Sequence, residues 1–332
     1  MNKSIVLKSR PEGTPTLENF EFKEIEKPEP QDGEVLLKTK FVSVDPYLRG
    51  RMRDEKSYIE PFELDQPLAS AVVAEVVESK HEKFQKGDFL TGMLEWKMFQ
   101  TSNAKNLRKV NGDQVSLSAY LGVLGMTGLT AYFGMTDIGV PEKGETLLVS
   151  GAAGAVGSIA GQIGKIKGLK VVGIAGSDEK IKLIQEKFNF DEGINYGKTD
   201  DMTAAIKELA PDGIDVYFDN VGSYTLDAAM NNINRHGRVI NCGAISLYNE
   251  TEQPKGPRLE TTLVKKSVKM QGFIVRNYED QFNEGIQQLS KWLASGELKH
   301  EETIVEGFDQ IPNAFIDLFD GKNIGKMVVK VD

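Results

Sequence analysis

Short apolar or alternating runs, broken by proline and glycine, fill the first 120 or so residues: 34–42 (EVLLKTKFV), 69–78 (ASAVVAEVVE) and 88–93 after the Lys86-Gly87 turn. Two-residue alternation bounded by such breakers predicts the short strands of a β-rich domain. From Gly144 onward the rhythm changes. Buried-strand runs at 145–150 (ETLLVS), 170–175 (KVVGIA), 192–196, 214–219 (IDVYFD), 238–241 and 268–273 alternate with helical spacing at 156–167, 178–188, 202–209, 223–231 and 281–295. Strand and helix in this alternation predict parallel βαβ units, and hence an α/β fold with a doubly wound sheet. The last run, 324–331 (IGKMVVKV), reads as a strand that returns to the first domain.

The 332 residues are enough for two domains. No apolar run approaches the ~20 residues a membrane span requires. The N-terminal MNKSIVLKSR lacks a signal-peptide core, so a cytoplasmic protein is expected. A net charge of −9 argues against nucleic acid or an anionic membrane as partner. It leaves room for a small anion in a local basic pocket.

One junction carries chemistry. In LLVSGAAGAVGSIAG, Gly151, Gly154 and Gly157 lie where a strand ends and a helix begins. Small residues there let the backbone approach a pyrophosphate, while the helix N-terminus offers N–H groups and partial positive charge. Gly157 would let the helix pack closely on the strand. The competing reading, a tight turn and nothing more, loses ground to the alternating elements that follow. The second strand ends in Gly176-Ser177, where an NAD-binding fold usually places an acid. Ser177 and Lys180 suit a 2′-phosphate instead, which favours NADP; Asp178 just beyond reads as a helix cap.

Metal chemistry has little to build on. The chain has one cysteine, Cys242, and three scattered histidines, His81, His236 and His300, without HxxxH or CxxC spacing. No metal site is expected, and Cys242 reads as lining the cofactor groove.

The chain resembles the zinc-independent medium-chain dehydrogenase/reductases, and within them the leukotriene/prostaglandin reductase and double-bond (alkenal/curcumin) reductase group. The resemblance runs through VDPYLRGRM (44–52), GMTGLTAY (125–132), SGAAGAVGS (150–158), AGSDEK (175–180), FDNVG (218–222), CGAIS (242–246), QGFIV (271–275) and NIGK (323–326). It implies a GroES-like β-rich domain over 1–125, completed by 300–332, and a Rossmann NADP-binding domain over 126–299. It implies NADPH, with Gly151, Gly154, Ala155, Val156 and Gly157 at the pyrophosphate and Ser177, Lys180 and Tyr196 at the 2′-phosphate. Asn220 would lie beside the ribose or pyrophosphate, and Cys242, Phe273 and Val275 around the nicotinamide. Met126 and Thr130 would lie on the helix beneath it, and Asn323 would close over it. A homodimer is implied as well.

The reaction implied is metal-free reduction of the C=C bond of α,β-unsaturated ketones and aldehydes. A donor aimed at the carbonyl oxygen lowers the barrier as the enolate forms. Tyr47, in the DPY motif, is the first candidate donor and Tyr248 the second. Some family members carry another tyrosine where this chain has Lys265. Arg49 and Met52 are candidates for the pocket entrance, Arg49 equally for a surface ion pair. The segment 250–260, rich in proline, glycine and charge, would border the pocket. A quinone reductase of the same superfamily and an NADPH-binding protein without turnover remain open.

Overall fold

The computed structural model describes residues 2–113 and 115–331. The strands are β1 (Asn2–Leu7), β2 (Phe20–Ile25), β3 (Val35–Ser43), β4 (Ala69–Ser79), β5 (Phe89–Glu95), β6 (Phe99–Ser102), β7 (Arg108–Val110), β8 (Thr146–Ser150), β9 (Lys170–Ala175), β10 (Glu192–Asn195), β11 (Ile214–Asp219), β12 (Ile233–Asn241), β13 (Lys269–Gly272), β14 (Glu302–Glu306) and β15 (Lys326–Lys330). The helices are α1 (Leu48–Arg51), α2 (Met126–Phe133), α3 (Gly157–Ile166), α4 (Asp178–Glu186), α5 (Met202–Leu209), α6 (Ser223–Asn232), α7 (Glu260–Lys266), α8 (Phe282–Ser295) and α9 (Ile311–Asp317). Two compact units result: Met1–Leu121 with Thr303–Asn323 and Met327–Asp332, and Gly122–Glu302 with Ile324–Lys326. No helix among the described residues is long and apolar enough to cross a membrane.

The first unit is β-rich, as the alternating patterns require. Its larger sheet runs β14-β15-β3-β4-β5-β7, with β6 also on β3, beside a two-stranded β1-β2 sheet. The inward positions of β3 and β4 (Val35, Leu37, Val72, Ala74, Val76) join Ile5, Leu90, Trp96, Phe315 and Val329 in one core. Trp96 is 1% exposed, and its indole N–H donates to Ser70 Oγ at 2.8 Å, so no polar group is stranded there. The final strand does enter this unit: β15 pairs antiparallel with β3, Val328 opposite Ser43.

The second unit is the expected doubly wound sheet. Its six strands run β10-β9-β8-β11-β12-β13, and all the pairings are parallel. β8 is buried at every position, the signature of a central parallel strand covered on both faces. Two details depart from the sequence pattern. β12 starts at Ile233, ahead of the expected 238, and its register on β11 shifts after Ile214; His236 at φ 63 marks the irregularity. The region after 250 also contains α7, which periodicity did not reveal because none of its residues is fully buried.

Candidate active site

Because the six strands of the second unit are parallel, their C-terminal ends share one edge of the sheet. Chain order reverses between β8 and β11, and such a switch point leaves a crevice where dinucleotides bind. The sequence candidates Gly151, Ser177, Tyr196, Asn220, Cys242 and Phe273 fall within two residues of the ends of β8, β9, β10, β11, β12 and β13 respectively.

At the crevice, Gly151 takes φ 59, a left-handed backbone that disfavours side chains. A Cβ there would lie 3.5 Å from Asn220 Cβ, so the turn leaving β8 runs directly against the end of β11. A Cβ on Gly157 would approach Gly151 O to 2.3 Å, which fixes why the first turn of α3 must be a glycine. Gly154, Ala155 and Val156 connect the two and are half-buried. This tight, side-chain-poor turn opens the ten-residue helix α3, whose N-terminal N–H groups and dipole favour a phosphate. The residues fit a dinucleotide pyrophosphate.

The turn is also held from its far side. Gly325 N–H donates to Ala153 O at 2.7 Å, and Lys326 N–H to Glu301 O at 3.0 Å. A Cβ on Gly325 would sit 2.0 Å from Glu301 O, so only glycine admits this contact. Lys187 forms an ion pair with Glu301.

At the end of β9, Ser177 caps α4: its Oγ accepts from Lys180 N at 3.3 Å. Asp178 is therefore not the cap. Its carboxylate accepts from Lys198 and Asn195, which hold its pKa below the usual range and balance its charge. Burial lowers the pKa of the Lys180 ammonium, with Glu179 opposing. Tyr196 is 46% exposed, and its hydroxyl would lie 2.7 Å from a Cβ on Gly176, so it folds over the turn that presents Ser177. A hydroxyl and a phenol at a strand end that carries Gly176 and Ser177 in place of an acid fit a 2′-phosphate better than a pair of ribose hydroxyls.

On the other side of the switch point, Asp219 ends β11 fully buried. Its Oδ1 accepts from Tyr217 Oη (2.7 Å), Ser150 Oγ (3.0 Å), Val221 N (3.0 Å) and Gly222 N (2.9 Å). Its carbonyl accepts from Cys242 N (2.9 Å) and Gly243 N (3.1 Å). Asn220 Nδ2 donates to Ser150 O at 2.7 Å. Burial, then Asp219, pushes the Cys242 thiol up to about 12, although the residue keeps some exposed surface. Tyr248 follows a single helical turn at Ile245–Leu247, and its hydroxyl accepts from Ala244 N at 3.4 Å. It is therefore tied back over the loop after β12. Phe273 meets Tyr278 edge-on at 6.2 Å, and Val275 follows, half-buried. Met126 and Thr130 share a face of α2, where Thr130 Oγ1 donates to Met126 O at 2.7 Å.

Tyr47 and Asn323 belong to the first unit, each half-buried. Tyr47 packs on that unit's core just ahead of α1. Two neighbours correct the sequence reading. Arg49 is 2% exposed, and its guanidinium donates to Pro11 O and Gly13 O, so it is no surface ion pair. Met52 is 1% exposed and belongs to the core. Sequence reasoning passed over Asp219 and Ser150; the only signal was an acid and a hydroxyl ending adjacent buried strands. Among the described residues no group of three or more His, Cys, Asp or Glu side chains is placed to hold a metal ion.

Family models match at both ends of the chain: an N-terminal domain of oxidoreductase over residues 3–110 and a zinc-binding dehydrogenase over 155–292. A putative NADP-dependent oxidoreductase, YfmJ, of Bacillus subtilis is 54% identical over 99% of this chain and 97% of its own. A 2-alkenal reductase (NADP(+)-dependent) of Nicotiana tabacum is 41% identical over the same shares. The crystal structure of CurA in complex with NADPH from Vibrio vulnificus superposes with a TM-score of 0.95 at 42% identity, covering 99% of each chain. With this likeness along its whole length, the chain belongs to the double-bond reductase group of the medium-chain dehydrogenase/reductases.

Proposed function

We propose that this protein uses NADPH to reduce the C=C bond of α,β-unsaturated aldehydes and ketones. The observation that carries the cofactor choice is the end of β9, where Gly176 and Ser177 stand in place of an acid, Ser177 caps α4 and Tyr196 lies over Gly176. The full-length likeness to a protein named 2-alkenal reductase supports the substrate class.

When bound, the cofactor supplies a hydride to the β-carbon of the substrate. The chain does the rest. Gly151, Gly154, Ala155, Val156 and Gly157 hold the pyrophosphate against the N-terminus of α3, and Asn220 borders it. Cys242, Phe273, Val275, Met126, Thr130 and Asn323 bound the nicotinamide site. Tyr47 donates a hydrogen bond to the carbonyl oxygen as negative charge gathers there, and Tyr248 is the second donor. The α-carbon then takes a proton from a phenol or from water. In this reading residues 1–125 with 300–332 serve the substrate and residues 126–299 the cofactor, and the protein works as a cytoplasmic homodimer.

The test follows NADPH absorbance with a medium-chain 2-alkenal, an enone and, separately, a quinone, with chelator present. Chelator-resistant formation of the saturated carbonyl supports the proposal. Quinone consumption without alkenal or enone turnover replaces it with the quinone reductase reading. NADPH binding without any turnover replaces it with a binding protein.

A further inference from the structure

We propose that Asp219 is the positioning residue of this site: it locks the two loops that carry Asn220, Cys242 and Tyr248 into one arrangement. The proposal rests on the cofactor site described above. Six hydrogen bonds converge on this one buried residue, four on Oδ1 and two on its carbonyl. The loop after β11 needs such a clamp. Gly222 and Ser223 take φ 74 and φ 52 in succession, and a non-glycine residue in that region stores strain. The consecutive N–H groups of Val221 and Gly222 point together, forming a small anion nest that the Asp219 carboxylate fills.

The clamp reaches further through Ser150. That hydroxyl donates to Asp219 and accepts from Asn220 N at 3.0 Å, which ties the first residue of the loop to the end of β8. The loop after β12 is tied in turn. Cys242 N and Gly243 N bond the Asp219 carbonyl, while Ile245 N donates to Asn220 O (3.2 Å) and Ser246 Oγ to Val221 O (2.6 Å). Asp219 Oδ2 is buried with no hydrogen-bond partner among the described residues. Leaving a carboxylate oxygen so placed costs stability, and a position kept at such a cost is a place to look for function.

Asp219→Asn keeps the accepting oxygen and removes the charge; Asp219→Ala removes both; Ser150→Ala removes the hydroxyl that joins Asp219 to Asn220 N and leaves the bond from the Asn220 amide to the residue 150 carbonyl. Asn232→Ala is the control. Among the described residues its amide bonds only Thr203 O and Ala228 O, so the substitution lowers stability without touching either loop. NADPH affinity is read by fluorescence titration, separately from kcat and melting temperature. We expect Asp219→Ala and Ser150→Ala to weaken NADPH binding about tenfold, as loss of one strong hydrogen bond does, and Asp219→Asn to recover most of that loss. The control should lower the melting temperature and leave affinity within about twofold. Affinity that follows the melting temperature across all four variants overturns the proposal, as does wild-type affinity in both Asp219→Ala and Ser150→Ala. Because the titration needs no substrate, failure of enone turnover in the wild type is a separate result.

Discussion

Tyr278 stacks face to face on Phe133, their ring centroids 4.5 Å apart and their planes within 4°. Its hydroxyl donates to Asp137 Oδ2 at 2.5 Å, in the π-helical stretch Gly134–Gly139 that follows α2. Tyr278 also buttresses Phe273, so the wall assigned to the nicotinamide leans on an aromatic stack anchored by one hydrogen bond. Tyr278→Phe keeps the stack and removes the bond. It should cost about 1–2 kcal/mol of stability, with Asp137 left to find water. Chemical denaturation at pH 7 checks this; an unchanged midpoint would show the bond is not formed.

The same residue makes stability fall in alkali. Burial, then Asp137, pushes the Tyr278 phenol up to about 12, from a usual value near 10.0. A raised folded-state pKa stabilises fully below the unfolded value and is lost as pH climbs through the folded one. The contribution should therefore hold below pH 10.0 and fade toward about 12. Melting temperature recorded across that range should drop less steeply in Tyr278→Phe than in the wild type.

The only cysteine should be nearly inert. With its thiol held at about 12, Cys242 is thiolate in about one molecule in ten thousand at pH 8. Iodoacetamide should label the folded protein far more slowly than the protein in denaturant. Equal rates would mean that the loop opens faster than the reagent reacts.

Lys180→Ala should remove cofactor discrimination. Loss of a charge-assisted bond to the 2′-phosphate is worth about 1.5–3 kcal/mol, or a rise of about 10- to 100-fold in KM for NADPH. KM for NADH should stay near its original value. A parallel rise for both cofactors would place Lys180 outside the phosphate site.

Tyr47→Phe should lower kcat about a hundredfold if its hydroxyl faces the enolate oxygen, as for loss of one oxyanion donor. NADPH affinity should be unchanged. Tyr248→Phe, measured alongside, separates the two phenols. Full activity in Tyr47→Phe would transfer the role to Tyr248 or to water.

The parallel sheet was legible because its strands are short apolar runs between helices of clear amphipathic spacing; Leu147, Val172 and Phe218 are all buried. β6 and β7 were not, since runs as short as Arg108–Val110 carry too few alternations to register. The glycine triplet was visible because turn geometry demands a residue type. Asp219 was not visible as a hub, because Ser150 at the end of β8 and Cys242 and Gly243 beyond β12 join its local partners only in the tertiary structure. Arg49 misled for a related reason. An arginine in a charged stretch reads as surface, and nothing local announces that carbonyls from Pro11 and Gly13 will surround it.

β15 lies between β14 and β3 in its sheet, so the order of manufacture matters. Chains leave the ribosome N-terminus first, and domains generally fold as they emerge. Here β3 is made long before its antiparallel neighbour β15. Until Lys326–Lys330 has been made, Phe41, Val42 and Ser43 face a missing strand. The sheet of the second unit carries no such dependence, since all six of its strands precede β15. A nascent chain stalled before Lys326 should therefore present a finished nucleotide-binding sheet alongside an open, sticky β edge.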